Sequence, residues 1–335
     1  MNSTSSRLNL GFWIALSCLA FSPLSVRAQS CQTSSDLEEG PRTAITAAGQ
    51  HLFNMAAKGD VASLRQNAIP SLAADFSGIE TTVKDHQQDL AGAQGLVKAV
   101  FLLDGTTPVP HAEFYCGVFG KNGQTTGSAV FYFDNLPAGK YGVVLMDATS
   151  AKGKMMVSLI LQQAGTDWKL GGLYMKAAQV GGHDSDWFLA RAREYKAKGQ
   201  THNAYFFYAE ARSLISPVLF MGTLATDKLY DESQTVQPAD IPTSGKTVDL
   251  PVGTATYKLT AVYPEVVGND LDLIVKYQAA DVSNTNQAYQ NNVAVIKALV
   301  GKYPELREAF AGVVARAVDP SGRDYGTLLA MKDVK

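Results

Sequence analysis

Cysteine, histidine and tryptophan are scarce in this 335-residue chain, with three, five and three residues respectively. The cysteines, Cys18, Cys31 and Cys116, form no Cys-x-x-Cys pair, which excludes a zinc ribbon and a thioredoxin-like redox site. No His-Glu-x-x-His is present, and no Gly-x-Ser-x-Gly elbow, phosphate loop or dinucleotide fingerprint. The sequence therefore carries no motif for a metal or an organic cofactor, and neither is expected. Excess basic charge is also missing, since 29 Lys and Arg face 31 Asp and Glu. Nucleic acid wants a clustered basic face, so no nucleic-acid partner is expected. A Ser-His-Asp set assembled from scattered residues is the catalytic device these absences leave open.

Long apolar runs are missing too, apart from one at the N-terminus. Arg7 precedes an apolar stretch from Leu8 to Leu24, and Val26-Arg27-Ala28 forms a small-x-small site before Gln29. This pattern predicts a secretory signal peptide over residues 1–28, cleaved after Ala28. The stretch is broken by Ser17, Ser22 and Pro23 and is short of the roughly 20 residues a membrane span needs. The expected location is secreted or periplasmic, in a bacterial envelope, with no membrane anchor after cleavage. Losing Arg7 and Arg27 leaves 27 basic against 31 acidic residues, a net charge of −4. Cys31 and Cys116 then remain in an oxidising compartment, where a disulfide between them is expected; two free thiols is the alternative.

What is present is a change of texture along the chain. Pro41 to Leu90 reads as helices, with Ile45, Ala48, Leu52, Met55 and Ala56 on one stripe and Gly59 as its stop. Asp60 is placed to cap the next helix. From Leu96 to Lys176, short apolar runs alternate with turn signals such as Asp-Gly and Leu-Pro-Ala-Gly, which predicts an antiparallel sheet of five or six strands. Residues 183–217 return to a helical pattern. A loop with three prolines follows, then two strand-like runs, a helix striped by Tyr289, Val293, Ile296, Val300 and Tyr303, and a terminal hairpin. Helices segregated from antiparallel strands make the expected class α+β. The predicted organisation is a cone-like domain over 36–180, a helical hairpin over 181–230, a linker over 231–253 and a C-terminal ββαββ unit over 254–335.

Residues Ala44–Lys58 as a long first helix, and "GTDWKLGGLYMK" as a closing strand, resemble the nuclear transport factor 2-like cone superfamily. The resemblance implies a curved sheet wrapped on helices, hosting isomerases, dehydratases or binders. In isomerase-like members a carboxylate base faces a tyrosine in the cone mouth. Here that pair would be Glu113 and Tyr115, with His111, Phe119, Tyr132, Asp134 and Tyr174 available nearby. A solvent face that merely holds polar residues is the alternative, because alternation alone does not say which face is concave. "FDNLPAGKYGVVLMDAT" instead resembles the strand turn of transthyretin-like carboxypeptidase regulatory sandwiches, which would make residues 96–177 a β-sandwich.

"GGHDSDWFLARAREY", Gly181 to Tyr195, carries a metal-ligand alphabet in His183, Asp184 and Asp186. His202 is its nearest histidine in sequence. It opens the second helix of the pair while His183 precedes the first, so a helix length of roughly 20 Å separates them. The acidic residues and Ser185 are better placed as helix caps. The pair resembles one tetratricopeptide hairpin through Gly199, Ala204, Tyr208 and Ala211, with Trp187 and Pro217 each offset by one position. A lone hairpin of this kind must dock on a neighbour, so its aromatics, Trp187 included, are expected to pack rather than form a groove.

Three functions remain in view. One is a non-catalytic binding protein for a small molecule or a protein partner, with Tyr115, Tyr132, Tyr174 and Trp187 as binding candidates. The second is a cofactor-independent isomerase or dehydratase using Glu113 and Tyr115. The third is a structural or assembly role in the envelope.

Overall fold

The computed structural model describes residues 29–105, 109–121 and 123–335, so the expected signal peptide lies outside the described residues. The first half opens with strand Ser30–Thr33 (β1) and helix Glu39–Ala57 (α1). Four short helices follow, Val61–Gln66 (α2), Pro70–Ala74 (α3), Ser77–Asp85 (α4) and Gln87–Leu90 (α5). Gly59 takes φ +70° just after α1, and the Asp60 side chain accepts from the Ser63 amide at 3.0 Å to cap α2. The strands are Gln94–Gly105 (β2), His111–Cys116 (β3), Phe119–Gly120 (β4), Gly123–Gln124 (β5), Ala129–Asp134 (β6), Gly139–Ser150 (β7), Gly153–Ala164 (β8) and Asp167–Ala177 (β9).

These strands divide into layers. A five-stranded antiparallel sheet runs β1-β2-β7-β8-β9. Helix α1 lies on one face, where Ile45, Leu52 and Phe53 pack with Val144, Met146, Val157 and Leu159. The helix sits close: a Cβ on Gly49 would come within 2.9 Å of the Val144 methyls. On the other face Phe101, Val143, Leu145 and Ile160 meet Phe114 and Phe131 of a separate sheet containing β3 and β6. The sequence reading put all these strands in one sheet. The division has a physical basis in the side-chain patterns. β7 and β8 carry continuous apolar runs suited to burial on both faces. β3 alternates strictly, with Ala112, Phe114 and Cys116 inward and His111, Glu113 and Tyr115 outward. Cys31 and Cys116 are disulfide-bonded, tying β1 to β3 across the layers.

The second half holds helices Ser185–Ala197 (α6) and Thr201–Ile215 (α7), strand Met221–Thr223 (β10) and helix Leu224–Gln234 (α8). Strands Val248–Val252 (β11), Ala255–Val267 (β12) and Asp270–Gln278 (β13), helix Thr285–Lys302 (α9), and strands Gly312–Val318 (β14) and Asp324–Ala330 (β15) complete it. The sheet runs β11-β12-β13-β14-β15 and is antiparallel except for β13 against β14, which α9 connects as a crossover. One core contains the hairpin and this sheet together, joining Phe206, Phe207 and Tyr208 to Leu273, Val275, Ile296 and Phe310. His202 reinforces the junction, with its Nδ1 2.9 Å from Glu305 Oε1 and its Nε2 2.9 Å from Asp240 Oδ1. The architecture is α+β, as the segregation of helices and strands predicts.

Three local expectations need revision. The stretch 231–253 is not a bare linker: Val236, Ile241 and Leu250 are buried in the shared core, and β11 is an edge strand that tolerates Pro251. β10 leaves the hairpin region and pairs with β6, giving a three-stranded sheet β10-β6-β3. The buried stripe of α9 keeps Ile296, Val300 and Tyr303 as expected but turns away from Tyr289 at its N-terminal end. Tyr289 is 48% exposed, whereas Asn292 is fully buried, accepting from Tyr277 Oη at 2.7 Å and donating to Tyr325 O and Thr327 Oγ1 at 3.0 Å. A satisfied buried asparagine is invisible to a hydrophobic stripe.

Candidate functional site

The carboxylate and tyrosine singled out in β3 do meet. Tyr115 Oη donates to Glu113 Oε2 at 2.6 Å, and that hydrogen bond to a carboxylate pushes the phenol above its ordinary range. Across the ladder, Glu113 pairs with Tyr132 and His111 with Asp134, whose side chains approach to 2.6 Å. Burial, with the negative charges of Glu113 and Asp227, raises Tyr132 as well. The whole cluster is on the outward face, however, and Tyr115 is 57% exposed. The inward face, where a cone would open, is filled by Phe101, Phe114 and Phe131. Glu113 is exposed, so nothing there excludes solvent from a substrate.

The remaining binding candidates do not converge with this pair. Tyr174 lies at the rim between the two sheets, its ring 5.3 Å from that of Phe220. Trp187 is half-buried at the start of α6, stacked on His183 at 3.8 Å and touching Phe188 and Phe207. Asp184 caps α6 by accepting from the Trp187 amide at 3.1 Å, and Ser185 Oγ donates to Ala211 O at 2.7 Å. Asp184 is thus committed to the helix end, and His183 to an aromatic stack. Among the described residues, no group of three or more His, Cys, Asp or Glu side chains is arranged to hold a metal ion.

A different place gathers the chemistry. A cleft of about 820 Å³ opens between the ends of β8 and β9, helix α7 and the turn joining β12 to β13. Met155, Met175, Leu214 and Val266 supply its apolar lining, and Lys152, Lys154, Lys176 and Glu210 its charges. Glu210 sits on α7 between Phe207 and Leu214, on the helix's packed face, and is only 5% exposed. Burial pushes its carboxyl up to about 7, and the positive charge of Lys176 opposes the rise. Burial in turn lowers the Lys176 ammonium, with Glu210 pulling it back up.

These two groups feel each other without pairing. Lys176 Nζ donates to Ser213 O at 2.7 Å and to Ser213 Oγ at 3.2 Å. Among the described residues, no hydrogen bond or ion pair reaches the Glu210 carboxyl, and none within 4 Å engages Lys152 or Lys154 with an acid. The Glu210 carboxyl oxygens are not among the enclosed unpaired polar atoms, so they open onto the cleft. A shifted acid facing a cleft is the ordinary signature of a functional site. Sequence reasoning passed over it, although one signal was present: a glutamate within the apolar run from Tyr205 to Leu214.

Compared with known proteins, the chain matches no family model, no curated protein and no solved structure.

Proposed function

We propose that this chain is an exported binding protein that holds a small ligand in the cleft beside Glu210 and Lys176 and performs no chemical step on it. The observation that carries the reading is the 820 Å³ space, on whose wall Glu210, a residue only 5% exposed and without a hydrogen-bond partner among the described residues, opens its carboxyl. Pockets of roughly 300–1,000 Å³ with apolar walls and a few convergent polar groups are the common form of small-molecule sites. Export is supported by the leader pattern before Gln29 and by the Cys31–Cys116 bond, which suits an oxidising compartment. The isomerase reading finds less support, because Glu113 and Tyr115 face solvent.

A cleft-filling variant tests the proposal. Ala177 is exposed at the cleft's edge, so Ala177→Trp should crowd the space without disturbing the core. In a thermal-shift survey of small metabolites, compounds that raise the melting temperature of the parent protein should lose that effect in the variant. If every stabilising compound acts equally on both proteins, or none stabilises the parent, the cleft is not the binding site.

A further inference from the structure

The charge layout of the cleft says more about its occupant, on the premise that the cleft is the binding site. The groups facing it are Lys152, Lys154 and Lys176, Glu210, Glu265 and the His86–Asp89 pair. His86 and Asp89 lie 3.7 Å apart and partner each other, and Lys176 is held by Ser213. Glu265, on β12, is exposed to water, and two poles are left. Glu210 on one wall, largely buried but with its carboxyl open to the cleft, can accept from a hydrogen-bond donor, best of all a cation that would let it ionise. Lys152 and Lys154 flank the β7–β8 turn, exposed at the mouth and without acidic partners among the described residues. They need an anion. Between these poles the walls are apolar, from Met155, Met175, Leu214, Pro264 and Val266.

We infer that the ligand is a zwitterion with apolar substituents, a short peptide with free ends, whose terminal amine meets Glu210 and whose carboxylate meets Lys152 and Lys154. A free amine alone would leave the lysines unused, and a fatty acid would leave Glu210 unused. A single amino acid would satisfy both poles but fill little of the 820 Å³. The two methionines suit a site that takes varied apolar side chains, because their unbranched chains re-pack readily.

The test uses leucine di-, tri- and tetrapeptides in three forms: free, N-acetylated and C-amidated. Calorimetry on the full mature chain reads the affinities. Free peptides should bind about tenfold or more tightly than either blocked form, as expected when one charge-assisted contact is lost. In Glu210→Gln the penalty for acetylation should vanish while that for amidation persists. In the double variant Lys152→Ala/Lys154→Ala the reverse should hold, and both positions are exposed or conservatively changed, so folding is preserved. Blocked peptides that bind as tightly as free ones would overturn the inference. So would peptides that fail to bind while other compounds stabilise the protein in an Ala177-sensitive way, an outcome that leaves the cleft reading standing. If no compound binds in an Ala177-sensitive way, the cleft reading itself falls and the inference with it.

Discussion

Glu210 and Asp184 are both acids in helical segments, yet they have opposite effects. Asp184 ends its helix by accepting a backbone amide in water, a role that a short polar residue before an aromatic run announces. Glu210 occupies a buried position where its charge is disfavoured, and this shows in the pH dependence of stability. Its carboxyl sits at about 7 in the folded chain, against 4.5 as the ordinary value. Between these values the folded state binds more protons than the unfolded one, so stability is full below pH 4.5 and falls as pH rises through 7. The loss should approach about 3 kcal/mol at pH 8 and should disappear in Glu210→Gln, as urea denaturation at pH 5 and pH 8 would show. The cap was legible from four adjacent residues. The site was not, because Glu210 shares the cleft with Lys176 and Val266, which are remote in sequence and arrive only with the fold.

At the scale of elements, alternation and turn residues disclosed most strands, while they left open how the strands are shared among sheets. The sequences of β3 and β7 differ in the informative way, one alternating and one continuously apolar, but only pairing partners reveal that they belong to separate layers. Helix α9 shows the other limit. Its length was evident and most of its buried stripe with it, while the N-terminal part was misread because the anchor there, Asn292, is a polar residue. Asn292→Ala should cost about 2–4 kcal/mol, since it leaves Tyr277 Oη and Thr327 Oγ1 without their buried partner. Tyr289→Ala, on the stripe expected from periodicity, should change stability by no more than about 0.5 kcal/mol. Equilibrium denaturation of the two variants separates the faces directly.

At the scale of the molecule, each half is held together across distant segments of the chain. In the first half the disulfide closes a long loop, its cysteines 85 positions apart, and removing it should cost about 2–5 kcal/mol. Unfolding of a Cys31→Ala/Cys116→Ala variant against the parent measures this. The cysteine pairing was legible because only Cys31 and Cys116 follow the N-terminal apolar stretch. That the hairpin must dock was legible too, but which neighbour shares its core was not, since nothing in residues 231–253 reveals that Val236, Ile241 and Leu250 turn inward.

The three residues of β10 link these halves in the opposite sense. They are made after the hairpin, yet they form one flank of a sheet whose other strands, His111–Cys116 and Ala129–Asp134, were made about 90 to 110 residues earlier. A growing chain that has emerged only as far as Pro217 therefore presents β6 with one edge unpaired, beside the aromatic ring of Phe133 that Phe220 will later cover. Open edges of this kind recruit other strands. Synthesis thus passes through an interval in which the first half is folded on one side and adhesive on the other, and that interval closes only when Met221–Thr223 arrives.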